Sequence, residues 1–106
     1  MSKTLFLFNP NTTASMTQAM APAARAVLPA GYDLIAEQNV EGPVSIEGYF
    51  DEALCVPPML KRFASLEGQG VSAAIIACFD DTGLEAARCL LTVPVIGLCQ
   101  ASCISA

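Results

Sequence analysis

Apolar residues along this chain come in short runs, and the runs switch between the period of a buried strand and that of a helix. Thr4 to Phe8 (TLFLF) is a short apolar run stopped by Asn9-Pro10-Asn11, which predicts a buried strand ending in a turn. A helix follows, capped by Thr12 or Thr13, with Met16, Met20, Ala23 and Val27 spaced to share one face. Pro22 sits inside that helix, and because an interior proline costs about 3 kcal/mol it predicts a kink or a late break. Pro29-Ala30-Gly31 closes the helix, and Tyr32 to Ala36 is a second strand.

Glu41 to Ser45 reads as a loop, with Ser45 placed to cap a helix that turns Ile46, Tyr49, Phe50, Ala53 and Leu54 inward. Pro57-Pro58 interrupts that helix, Met59 to Leu66 resumes it, and Gly68 and Gly70 end it. Val71 to Ala77 (VSAAIIA) is the clearest buried strand and runs directly into Cys78-Phe79-Asp80-Asp81-Thr82-Gly83. A helix over Leu84 to Leu91 and a last strand over Val93 to Leu98 complete the pattern, and Gln100 to Ala106 opens a further helix. Strands alternating with helices predict an α/β fold: a parallel four-stranded sheet with right-handed crossovers, flanked by helices, in the flavodoxin-like order 2-1-3-4. At 106 residues the expectation is a single domain over residues 1–106.

Composition narrows the partners. Hydrophobic residues make up 54% and charged residues only 14%, against roughly 25% charged in an average domain. So much apolar surface on a short chain predicts that some is covered by a partner, either a second domain or another copy of the chain, and a homo-oligomer is the expectation. The net charge of −5 comes with no basic cluster, which argues against nucleic acid and against an anionic membrane surface. No apolar run approaches the roughly 20 residues of a membrane span and no secretory signal opens the chain, so the expected location is cytoplasmic.

Five cysteines, at 55, 78, 89, 99 and 103, follow no disulfide framework and are expected to be reduced. There is no histidine, which removes Ser-His-Asp and Cys-His catalysis and leaves any metal site to thiolates and carboxylates; none is expected. In an open α/β sheet a ligand binds beyond the carboxyl ends of the strands where the strand order reverses, here after strands one and three. Asn9, Asn11, Thr12, Thr13 and Cys78 then meet at one mouth. The asparagines have two readings, turn chemistry beside Pro10 or ligand contact. Cys55, Cys89, Cys99 and Cys103 read as small buried hydrophobes. Cys78 stands between a strand and a helix, where free N–H groups favour a thiolate, while Asp80 and Asp81 oppose it by repulsion or cap the helix instead. Position alone leaves Cys78 open between a reactive and a structural role.

Three stretches carry a resemblance. Phe8-Asn9-Pro10-Asn11-Thr12-Thr13 with Met16-Thr17, Gly42-Pro43-Val44-Ser45-Ile46-Glu47-Gly48 with Asp51-Glu52-Ala53, and Ala77-Cys78-Phe79-Asp80-Asp81 with Gly83-Leu84 and Ala86-Ala87-Arg88 resemble the aspartate/glutamate/hydantoin racemase family, its hydantoin and allantoin members in particular. The resemblance implies one half of a two-domain racemase fold, in which two similar α/β halves each bring a cysteine to a shared cleft. It implies cofactor-independent isomerase chemistry: one thiolate takes the α-proton of a small hydantoin-, allantoin- or amino-acid-like substrate and the opposite thiol returns one. Cys78 matches the first catalytic cysteine, and Asn9, Asn11, Ser45 and Phe79 fall in the substrate-binding stretches. Thr82 stands where the family usually has proline, and Gln100 where glutamate is common. Family members are roughly twice as long, so the resemblance covers the amino-terminal half and predicts an incomplete, truncated racemase. The competing expectations are a non-catalytic domain that binds a small ligand and a one-cysteine decarboxylase or isomerase of the same superfamily.

Overall fold

The computed structural model describes residues 3–105. Four strands, β1 (Lys3–Asn9), β2 (Tyr32–Gln38), β3 (Val71–Ile76) and β4 (Val95–Gly97), alternate with helices α1 (Ala14–Val27), α2 (Tyr49–Ala64), α3 (Leu84–Leu90) and α4 (Leu98–Ser105). The sheet is parallel throughout, in the order β2-β1-β3-β4 that the strand and helix pattern predicts. The register runs Lys3 against Tyr32 to Asn9 against Gln38, Leu5 against Ala73 to Phe8 against Ile76, and Ala74 to Ile76 against Val95 to Gly97. It brings the ends of β1, β3 and β4 to one edge.

The core lies on the face covered by α2 and α3. Phe6, Phe8, Ala74, Ile76 and Val95 point up from the sheet to meet Met59, Phe63, Leu84 and Ala87. The rings of Phe6 and Phe8 stack at 5.8 Å, and Phe63 stands edge-on to both at 5.9 and 5.4 Å. Arg62 binds Glu37 of β2 through two N–H···O contacts of 2.8 Å, which strap α2 across the sheet and hold its guanidinium above the usual range.

Several local expectations are corrected. α1 runs unbroken through Pro22 and α2 through Pro57 and Pro58. In α2 full burial of Met59 and Phe63 beyond the prolines offsets the lost hydrogen bonds. The inward face of α2 is Cys55, Met59 and Phe63, whereas Tyr49 and Phe50 are exposed and Leu54 is half exposed. α2 begins only at Tyr49 with Gly48 at its amino-terminal cap, so Ser45 lies in the preceding loop and caps nothing. On α1 the buried residues are Thr17 and Ala21, while Met16 and Val27 are exposed. Small side chains let α1 sit close to the sheet, and Thr17 turns inward because its hydroxyl has a partner there. Of the last predicted helix, residue 106 lies outside the described residues.

Candidate active site

The β1–α1 loop is internally hydrogen-bonded. Asn9, buried at the end of β1, donates from its amide nitrogen to Asn11 Oδ1 at 2.8 Å and Thr17 Oγ1 at 3.2 Å, with a longer contact to the Thr13 carbonyl. Its Oδ1 accepts from the Asn11 backbone N–H at 3.3 Å. Asn11 Oδ1 in turn accepts the Thr13 N–H at 2.9 Å. The two amides thus replace the backbone partners that a chain leaving a strand lacks. The Asn11 Nδ2 points to the sulfur of Met16 at 3.4 Å, a weak acceptor. A third buried amide, Asn39, ties this loop to its surroundings by donating to the carbonyls of Pro10 and Cys55.

The β3–α3 loop is built differently. α3 starts at Leu84 with Gly83 as its cap, so Cys78 lies a full loop ahead of the helix and beyond the reach of its dipole, which fades within a turn. Its neighbour is instead Thr82: the Cys78 sulfur and Thr82 Oγ1 are 3.3 Å apart, and Thr82 Oγ1 donates to Glu52 Oε1 of α2 at 3.2 Å. Asp81 does not cap α3 with its side chain either. Its carboxylate accepts the backbone N–H groups of Cys99 and Gln100, both at 2.9 Å, and so caps α4. Asp81 takes a left-handed backbone (φ 50°) to reach there, a conformation that aspartate tolerates better than most residues. Gly97 leaves room for it, and a Cβ there would overlap that carboxylate and displace it.

Between the two loops lies a pocket of about 280 Å³. Its lining includes all five residues singled out from sequence: Cys78, Asn9, Asn11, Ser45 and Phe79. Met16, Met20, Ile46 and Leu98 add an apolar wall, and Asp80 stands at the rim. Cys78 is half-buried and Phe79 is largely exposed at the mouth. A wider hollow of about 500 Å³ between α2 and α3 holds Lys61 and Cys89 among aliphatic residues and has no cluster of convergent polar groups.

The five thiols are free, and their surroundings sort them. Cys55 is fully buried, and burial, then the nearby Cys78 and Glu52, push its thiol up to about 11. Cys99 is also pushed up, by desolvation first and then by Cys103 and the carboxylates of Asp81 and Asp80. Among the described residues no three His, Cys, Asp or Glu side chains converge as a metal cage, and no helix is long and apolar enough to cross a membrane.

Sequence reasoning missed Asn39, the contact from Cys78 through Thr82 to Glu52, and that the helix Asp81 caps is α4 and not the one that directly follows it. Each spans elements far apart in the chain. The one sequence signal was Thr82 itself, a hydroxyl where the resembled family has proline.

The protein-family description that matches residues 5–106 is Asp/Glu/Hydantoin racemase. Hydantoin racemase of Rhizobium meliloti is 49% identical over 98 residues, which are 92% of this chain and 41% of that protein. The solved structure of allantoin racemase from Klebsiella pneumoniae superposes with a TM-score of 0.94 at 41% identity, covering 99% of this chain and 43% of the other. Allantoin racemase from Pseudomonas fluorescens gives 0.88 at 31% identity, covering 96% and 43%. The chain spans about two fifths of the length of these relatives.

Proposed function

The chain belongs to the Asp/Glu/hydantoin racemase family, and from that membership we propose that Cys78 transfers the α-proton of a hydantoin- or allantoin-like substrate bound between the β1–α1 and β3–α3 loops. The observation that carries this reading is the meeting of one half-buried thiol with Asn11, Ser45 and an apolar wall in a single pocket. At about 280 Å³ it is near the lower bound of ligand pockets, roughly 300–1,000 Å³, and suits a small molecule.

In this mechanism the Cys78 thiolate takes the proton from the ring carbon next to a carbonyl, and the charge left behind spreads onto that carbonyl oxygen. Asn11 is the amide placed to meet the oxygen, since Met16 sulfur holds its Nδ2 only weakly. Asn9 shapes the wall, because its own donors are taken by Asn11 and Thr17. The carbon is already acidified by its carbonyl, so thiol chemistry suffices and no cofactor is required. Five free thiols fit the reducing cytoplasm.

Inversion needs an acid on the opposite face of the carbon, and Cys78 is the single cysteine lining this pocket. Cys55 does not fill that role, being sealed beneath α2 with its thiol pushed up to about 11. We place the opposite group on a second copy of the chain docked mouth to mouth. Exposed Phe79 at the pocket, and Tyr49 in an adjoining hollow with Glu52 and Asp80, form the apolar rim that such a copy would cover.

The test is proton NMR beside polarimetry on single enantiomers of a 5-substituted hydantoin and of allantoin in heavy water, with sedimentation velocity on the same samples. Exchange of the α-hydrogen should depend on Cys78 and fall ~10²- to 10⁴-fold in Cys78→Ser. Loss of optical activity should rise with the dimer fraction. Exchange that survives Cys78→Ser would overturn the assignment. Ligand shifts without exchange would support the second reading, a binding unit without turnover, which the single lining cysteine favours.

A further inference from the structure

We propose that Thr82 and Glu52 are positioning residues that set the proton state of Cys78 through one buried hydroxyl that can hydrogen-bond to either the sulfur or the carboxylate. The inference rests on the acid–base reading of Cys78 and adds to it a device that the family's usual proline at position 82 could not provide.

The single hydrogen of the Thr82 hydroxyl can be placed in two ways. A carboxylate is an acceptor only, so the 3.2 Å contact to Glu52 uses the single hydrogen of the Thr82 hydroxyl. With the hydrogen on that contact, the Thr82 oxygen meets the Cys78 sulfur at 3.3 Å with lone pairs and the sulfur donates; with the hydrogen turned to the sulfur, the hydroxyl donates instead. One arrangement is therefore S–H to hydroxyl to carboxylate. Thr82 is 2% exposed, so water does not stand in for either contact.

When Cys78 gives up its proton, the same hydroxyl turns its hydrogen about the Cβ–Oγ1 bond and donates to the thiolate. Glu52, which is only part-buried, exchanges the lost donor for water. No proton passes along the chain of contacts; one hydrogen bond moves from oxygen to sulfur and returns when the thiol is restored. A group that must act in turn as acid and base is thus met by a matching partner in each state. The charged and titratable groups facing Cys78 are Glu52 and Cys55 from α2 and Asp80 from its own loop. Thr82 selects Glu52 among them as the one that competes for the hydroxyl proton.

The experiment is the pH profile of iodoacetamide labelling at Cys78, read by mass spectrometry, in the unaltered chain and in a double-mutant cycle. In Glu52→Gln the side-chain amide donates to the Thr82 oxygen and leaves its hydrogen for the sulfur, so labelling near neutral pH should quicken about tenfold, the effect of a one-unit displacement. Combined with Thr82→Ser the gain should persist, because the hydroxyl is kept. Combined with Thr82→Val it should vanish. An equal gain in the Thr82→Val background would show a through-space charge effect and overturn the proposal, as would no gain in Glu52→Gln alone. Thermal melts check each fold, and should Thr82→Val melt early, Thr82→Ala carries the same comparison. Labelling needs no substrate, so its outcome is independent of the exchange assay: failure of that assay removes the racemase reading and leaves this result intact.

Discussion

The layer beneath α2 and the mouth at the strand ends both hold a cysteine, yet the two regions treat it in opposite ways. On the inward face of α2, Cys55, like Met59 and Phe63, has no exposed surface, and its thiol is pushed up by burial. At the mouth, Cys78 is half-buried and held by hydrogen bonds that reach α2 through Thr82. The difference is one of surroundings: apolar packing encloses the first cysteine, while polar contacts between a loop and α2 hold the second. Residue type alone does not foretell such surroundings: the two thiols lie near one another, and Glu52 bears on Cys55 directly and on Cys78 through Thr82.

If this division is right, the sealed region should carry the largest stability effect. Phe63→Ala removes a ring that meets both Phe6 and Phe8, and urea unfolding should report a loss of about 3–5 kcal/mol. A loss below about 1 kcal/mol would mean that the layer repacks freely and is not the tightly packed half of the comparison.

A middle effect should come from the Cys55 thiol. Its folded value is about 11 against an ordinary 9.0, so between those limits the unfolded chain releases the proton first. The stabilisation is therefore fully present below about pH 9 and is lost as the pH rises toward 11. Denaturation in steps across this window should show a decline on the order of 2 kcal/mol, at about 1.4 kcal/mol per unit. In Cys55→Ala that decline should be largely gone; an unchanged slope would assign it to other groups.

The smallest effect belongs to the mouth. Asp81→Ala removes the cap on α4 and should cost about 1 kcal/mol. Its sharper sign is local: the amides of Cys99 and Gln100, which the carboxylate holds at 2.9 Å, should exchange with solvent much faster while core amides of β1 keep their protection. Equal acceleration in β1 would show that mouth and core open together.

The strand order was legible in sequence because it rests on a local signal repeated four times, short apolar runs alternating with helical stretches under the rule of right-handed crossovers. That order in turn placed Asn9, Asn11 and Cys78 at one mouth, and the structure puts them in one pocket with Ser45 and Phe79. Helix faces were legible only in part. Tyr49, Phe50 and Leu54 have the right spacing to face inward, but where α2 meets the sheet is set by Met59 and Phe63 further along. Prolines at 57 and 58 read as a break because propensity is a local cost, and burial on either side of them, of Cys55 and of Met59 and Phe63, outweighs it.

The sequence by itself determined the sheet, the reduced thiols without imidazole, and the candidate cysteine. Only the tertiary structure decided what that cysteine touches. Asp81 reaches α4, Asn39 reaches both Pro10 and Cys55, and Thr82 links Cys78 to Glu52 thirty residues away. Such contacts leave no period in the chain, since a hydrogen bond between loops depends on where two separate strands end in space.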